Sequence, residues 1–267
     1  MRFHYISDIH LEMGGGSSFS EIVGADEGDN IILAGDIGQV YVGRFQQFLQ
    51  WCCRGWKRVF YVTGNHEYYI CARMGWDFAQ VEKELENMFH SDPELSNLHW
   101  LRGGEIIDIP HTDLSVVGCT LWTEIPDDRL IEARSNMNDY NLIRWENGTR
   151  LMLPEDSRAL HRIQRENLKS CIRNATGRER RVIVVTHHMP SYSLIAPQWR
   201  GSSINCCFAS DCDDLIKEKG VVAWFYGHTH MRRKLRIDNC DCMVNAVGYP
   251  GTEQRRLGTL REQVWSI

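Results

Sequence analysis

The chain has 267 residues, 43% of them hydrophobic and 24% charged, a globular balance that excludes disorder as its main state. Its 30 basic and 35 acidic side chains leave a net charge of −5, without the basic excess of most duplex-binding proteins. No apolar run approaches the roughly 20 residues that span a bilayer, so no membrane contact is expected.

The first element is the apolar run Phe3–Ile6, which reads as a buried strand. The chain enters it directly, with no basic region and long apolar stretch, so no secretory signal is read and a cytoplasmic setting is expected. Gly14-Gly15-Gly16-Ser17-Ser18 is expected to form a loop. Ile31–Ala34 and Val59–Val62 read as further buried strands, with an amphipathic helix over Val40–Arg54 between them. A helix within Tyr68–His90 carries Phe78, Val81, Leu85 and Met88 at helical spacing. This alternation predicts right-handed βαβ units around a parallel sheet.

Ile106–Ile109 and Leu114–Val117, separated by Pro110 and His111, predict a hairpin. Trp122–Arg150 has no clear period and is rich in Asn, which suggests a cap or long loop with short helical turns. Pro154 opens a long helix to about Asn174, ended by Gly177. Val182–Val185 and Val221–Tyr226 read as buried strands, with an irregular stretch Met189–Phe208 and a helix from Asp211 to Lys219 between them. Lys234–Ile237, Cys242–Ala246 and Gln263–Ile267 are expected to be antiparallel strands closing a second sheet. Residues 1–267 are read as one domain.

The ten cysteines include adjacent pairs, Cys52-Cys53 and Cys206-Cys207, and no C-x-x-C. Free thiols in a reducing compartment fit better than disulfides, and Cys240-x-Cys242 is too closely spaced for most structural zinc sites. Basic clusters at Arg158, Arg162, Arg165, Lys169 and Arg173 and at Arg232, Arg233, Lys234 and Arg236 read as solvated faces rather than a nucleic-acid patch.

Five blocks follow the buried strands directly: Ser7-Asp8-Ile9-His10, Gly35-Asp36, Gly64-Asn65-His66-Glu67, Thr186-His187-His188 and Gly227-His228-Thr229-His230. Asp, His and Asn placed at strand ends put metal-binding groups along one sheet edge, where open α/β sheets hold their ligands. Imidazole, carboxylate and amide oxygen suit Mn²⁺, Fe or Zn²⁺.

The ordered set D-x-H, GD, GNHE, H and GHxH resembles the calcineurin-like metallophosphoesterase superfamily and spans nearly the whole chain. Its small single-domain bacterial and viral members share the SDIHLE start, GNHEYY, THH and GHTH. The resemblance implies an α/β four-layer sandwich of two mixed β-sheets flanked by α-helices. It also implies two divalent ions, Mn²⁺ foremost with Fe, Zn²⁺ or Ni²⁺ as alternatives, about 3.5–4 Å apart and activating a water. Asp36 would bridge them; Asp8, His10 and His230 would complete one site, and Asn65, His187 and His228 the other. His66 would act as general acid or transition-state stabiliser near the leaving oxygen, a task that suits an unperturbed pKa near working pH. Glu67 is read as steering a histidine or receiving a backbone donor.

Gly35-Asp36-Ile37-Gly38-Gln39-Val40 lacks the arginine of the protein Ser/Thr phosphatases, and the chain is shorter than the break-processing nucleases of the superfamily. A small phosphodiester or nucleotide-type substrate is therefore expected, with a nuclease as the alternative and a non-catalytic scaffold as the reading from another class. His188, Tyr68, Tyr69, Trp199 and Arg200 are the candidate substrate contacts, with Trp122 and Tyr140 in the cap weaker ones.

Overall fold

Alternation within the apolar runs sets the architecture, because successive strand residues face opposite sides of a sheet. In β2 (Gly28–Ala34), Ile31 and Leu33 turn to one core while Ile32 and Ala34 turn to another. In β9 (Arg181–Thr186), Val182 and Val184 likewise separate from Ile183 and Val185. Both faces of these strands are therefore buried, as their unbroken hydrophobicity demands. The computed structural model describes residues 1–14, 17–24, 27–70, 74–251, 253 and 263–267.

The first sheet contains β1 (Arg2–Ile6), β2, β3 (Trp56–Val62) and β4 (Leu98–Trp100) in parallel, with β13 (Val264–Ser266) antiparallel beside β1. The second runs β11 (Arg232–Ile237), β12 (Cys240–Asn245), β10 (Val221–Tyr226), β9, β6 (Leu114–Cys119) and β5 (Ile107–Asp108), with antiparallel edges. Phe3, Ile32, Phe60, Ile183, Phe225 and Met243 fill the space between the sheets.

Helices cover the outer faces. After a short helix α1 (Phe19–Val23), α2 (Gly43–Gly55) and α3 (Phe78–Ser91) bury Phe45, Phe48, Leu49, Val81 and Leu85 against the first sheet. Asp77 starts α3 by accepting the Gln80 N–H at 2.9 Å. In the long helix α6 (Pro154–Gly177), which follows α4 (Leu130–Asn136) and α5 (Asp139–Leu142), Leu168, Cys171, Ile172 and Ala175 cover the second sheet. The expected two mixed sheets flanked by helices are thus present. Among the described residues no helix is long and apolar enough to cross a membrane.

Some local expectations change. The final strand joins the first sheet, not the second, since Phe3 pairs with Trp265 and the indole packs against Phe3 and Phe225. The helix expected over Asp211–Lys219 is only α7 (Asp213–Ile216), because the chain must turn at Gly220 to enter β10. The cap holds α4, α5 and a small hairpin of β7 (Arg144–Trp145) and β8 (Arg150–Leu151). Its Trp122 and Tyr140 are core residues, 1% and 3% exposed. Gly15 and Gly16 lie outside the described residues. The basic face of α6 is paired, Arg158 with Asp127, Arg162 with Glu124 and Arg165 with Asp214. The nine described cysteines are free and buried.

Candidate metal centre

The loops leaving β1, β2, β3, β9 and β10 converge, and they bend sharply to do so. Asp8, His10, Asp36, His228 and His230 all have φ between 43° and 66°. That left-handed region is uncommon for residues with a Cβ and persists where surrounding structure fixes it, often at functional sites. Asp8 N–H donates to Gly35 C=O and His10 N–H to Asp36 C=O, each at 3.0 Å, so the first two loops are held to one another. The glycines in the blocks provide space. A Cβ on Gly35 would strike the His187 ring, and one on Gly64 would strike the Asp36 carboxylate.

All seven expected ligands come together, in two groups. In the first, His10 Nε2 lies 3.1 Å from His230 Nε2, which is 3.4 Å from an Asp8 oxygen. In the second, Asn65 Oδ1 lies 3.0 Å from His187 Nε2 and 3.2 Å from His228 Nδ1. Asp36 stands between them. Its Oδ2 is 3.9 Å from His10 Nε2, and its Oδ1 is 3.4 Å from His187 Nε2.

The opposite edges of these rings show what the converging atoms are. His10 Nδ1 donates to Glu12 at 3.1 Å, His230 Nδ1 to Glu253, and His187 Nδ1 to the Ala34 carbonyl at 2.9 Å. A neutral imidazole has one N–H, so each Nε2 then presents a lone pair. The Asn65 amide nitrogen donates to Asp139 at 2.8 Å and to Tyr69 at 2.9 Å, which turns its oxygen inward. Lone pairs thus face lone pairs in both groups, an arrangement that requires a proton or a cation between them. Ring orientation by carboxylates and carbonyls is the usual support of metal-binding histidines. The donor set therefore fits divalent ions, and both groups could hold one.

Glu67 serves the scaffold. It accepts the N–H of Asp36 at 3.1 Å, Ile37 at 2.9 Å and Gly64 at 2.8 Å, and the Tyr61 hydroxyl at 3.0 Å. This fits the backbone-receiving reading and ties the β2 and β3 loops together. Burial and the Asp36 charge push its pKa up to about 7 against these donors. Glu67→Ala strands three buried N–H groups and a phenol, so a loss of about 3–5 kcal/mol is expected in denaturant unfolding of metal-free protein. A loss below about 1 kcal/mol would mean that water replaces the carboxylate.

Without a metal, protons take the cation's place. Burial disfavours charge on His187, yet Asp36 and Asp8 raise its pKa to about 10; His230 rises to about 9 against burial through Asp8 and Glu253. Burial also opposes charge on Asp36, but the His187 and His66 rings hold it well below the usual carboxylate range. Both raised rings carry a proton at neutral pH and must lose it to bind metal, so the sign is fixed: affinity falls as pH falls. Mn²⁺ binding near neutral pH is expected to release about two protons per chain, read by calorimetry in buffers of different ionisation enthalpy. Heats independent of the buffer would contradict it.

His66 is held from both sides. Nδ1 lies 3.2 Å from Glu12, and Nε2 lies 3.2 Å from the Tyr249 hydroxyl. Burial opposes its charge, but Asp36, Glu12 and Asp139 raise its pKa. His66, Asp36, Asn65, His228 and His230 line a cavity of about 420 Å³, shared with Tyr69, Asn136, Asn138, Trp199, Arg233 and Tyr249.

The candidate substrate contacts divide. Tyr69 and Trp199 line the cavity, with Trp199 58% exposed. Arg200 is exposed but not among the lining residues. Tyr68 is buried, stacked on Phe78 at 4.1 Å and bonded to Thr63 and Glu82, so it packs beneath the loop instead. His188 lies behind the centre, bonded to the Thr120 carbonyl at 3.3 Å with its ring 4.4 Å from His228. Burial and the neighbouring His187 push its pKa down to about 3, which leaves it neutral. The sequence reading missed Glu12, Asp139, Tyr249 and Glu253. Only Glu12 had a usable signal, as the acid of the SDIHLE run.

Residues 1–232 match the family described as calcineurin-like phosphoesterase. An uncharacterized protein of Acanthamoeba polyphaga mimivirus is 27% identical over 262 residues, covering 92% of this chain and 90% of that protein. Among solved structures, phosphopantetheinyl hydrolase from Mycobacterium tuberculosis superposes with a TM-score of 0.66 at 19% identity, over 98% of this chain and 95% of that one. With the five blocks brought together where strands of both sheets end and the family model covering most of its length, the chain belongs to the calcineurin-like phosphoesterases.

Proposed function

We propose that the chain hydrolyses a small phosphodiester or nucleotide-type phosphoester with two divalent ions. One would be held by Asp8, His10, Asp36 and His230 and the other by Asp36, Asn65, His187 and His228. The observation that carries this reading is Asp36, which presents one carboxylate oxygen to each group of facing lone pairs at the floor of the cavity. Two such ions, Mn²⁺ foremost, would acidify a water and neutralise the phosphoryl oxygens.

The residues supply the rest. The Asn65 amide adds an oxygen donor without a further negative charge, which favours approach of an anionic phosphate. His66 borders the cavity, where its ring can give a proton to the departing alcohol oxygen. Glu12 accepts from its Nδ1, and the Tyr249 hydroxyl meets its Nε2 at the cavity side, so the ring is fixed in orientation. Tyr69 and Trp199 stand where they could border the organic part of the substrate.

Cavity volume supports a small ligand, since about 300–1,000 Å³ is usual for small-molecule sites. The nuclease alternative is less well supported, because Arg233 is the one Lys or Arg among the described lining residues. The scaffold alternative has to explain why all seven ligands and His66 are retained together.

The test combines metal analysis with turnover. Protein loaded with Mn²⁺ is expected to hold about two ions per chain and to cleave bis(p-nitrophenyl) phosphate and small nucleotides while plasmid DNA stays intact. Efficient, salt-sensitive nicking of duplex DNA with slow turnover of every small ester would instead favour the nuclease.

A further inference from the structure

One wall of the cavity has no part in phosphate chemistry. Leu194, Ile195, Ile204, Phe208, Met231 and Trp199 line it, all but Met231 from the irregular segment after β9. Phe208 lies beside the metal centre, its ring 4.9 Å from His228, and the Trp199 indole is exposed. Met137 and Met189 add more apolar surface.

Charge on the described lining is sparse away from the centre. Apart from Asp36 and the histidines, only Arg233 and Glu253 are charged. Arg233 donates to the Leu194 carbonyl at 3.1 Å, and Glu253 is engaged by His230. A second phosphate or a carboxylate on the ligand would leave water for a largely apolar surface whose one cation, Arg233, already gives an N–H to the wall's own backbone, which is unfavourable.

We infer that this wall is a binding subsite for the organic group of the ester, and that this group is an uncharged, largely apolar chain. The inference rests on the phosphoesterase reading for the anchoring of the phosphoryl end. Phe208, beside His228, brings this apolar lining within reach of a group attached to a phosphate held there. Burying a methylene gives up to about a fourfold gain in affinity, so a chain of several carbons would dominate selection.

Non-hydrolysable alkylphosphonates separate the two levels. Calorimetry with methyl-, butyl- and octylphosphonate on the Mn²⁺-loaded protein is expected to show Kd falling with chain length, by up to about fourfold per carbon. 4-Phosphonobutyrate is expected to bind more weakly than butylphosphonate. Ile204→Asn should flatten the dependence on length. Trp199→Ser, at an exposed position that should not disturb folding, should shorten the range over which it holds. Equal affinity for all three alkyl chains, or tighter binding of the carboxylate-ended chain, would overturn the subsite. Flat phosphonate binding with normal turnover of small esters would remove the subsite alone. Graded phosphonate binding without turnover of any phosphoester would keep the subsite and remove the activity.

Discussion

Asp36→Asn is expected to leave the chain short of metal and to lower turnover by about 10³-fold or more, because charge stabilisation by the ions is worth several kcal/mol. The substitution keeps the shape of the side chain and changes what its two ends are. The carboxylate directs one oxygen toward His10 and the other toward His187. An amide can direct an oxygen to one group only, and its NH₂ would then point N–H bonds at the cation of the other. The removed negative charge also matters, since the ring protons of the metal-free state depend on it: Asp36 is the largest influence raising the His187 pKa against burial. Metal analysis and kcat on the same preparation provide the check. A variant with both ions and near-normal rate would remove Asp36 from its place between the two groups.

His66→Ala should behave differently, with metal content retained and kcat reduced by about 10²–10⁴-fold. Its ring is not among the facing lone pairs; it meets Glu12 and Tyr249 and packs against Tyr69 at 4.2 Å and the His10 ring at 4.4 Å. If it protonates the departing oxygen, the loss shrinks for leaving groups of low pKa, which need no proton. A series of aryl and alkyl esters measures that slope. An equal loss across the series would assign His66 to binding or positioning.

Much of this centre could be read from the sequence for a physical reason. A parallel strand buried on both faces is a continuous apolar run, so the first polar residue after it marks the sheet edge. Asp36 and His228 occupy such a place, and Asp8, Asn65 and His187 follow one or two residues behind Ser7, Thr63 and Thr186. Gly35 and Gly64 stand in the blocks, but their reason shows only in the fold, where His187 and Asp36 need the space they leave. The supporting residues were harder. Asp139 sits in a segment without period, and only its contact with Asn65 across 74 positions gives it meaning. Glu253 and Tyr249 fall after the last block, where nothing local distinguishes them from a surface turn. Tyr68 and His188 misled as substrate contacts because adjacency in sequence to a ligand does not fix the direction of a side chain. Tyr68 turns beneath its loop to stack on Phe78, and His188 turns to the Thr120 carbonyl. The closing strand was misplaced because three short apolar segments do not state which edge they join, and the Phe3–Trp265 pair decides that only in the folded chain.

Each group of facing donors draws on both sheets. Asp8 and His10 follow β1 and must meet His230, which follows β10; Asp36 and Asn65 follow β2 and β3 and must meet His187 and His228. A cation bound in either place therefore acts as a clasp between the two halves of the sandwich, joining positions more than a hundred residues apart. Its grip belongs to the native state alone, since neither half has a complete set of donors. By mass action, an ion present at 100 times its Kd adds about 2.7 kcal/mol to the unfolding free energy. Chelation should then lower the melting temperature as well as stop catalysis, and metal supply in the cell would set how long the folded protein survives.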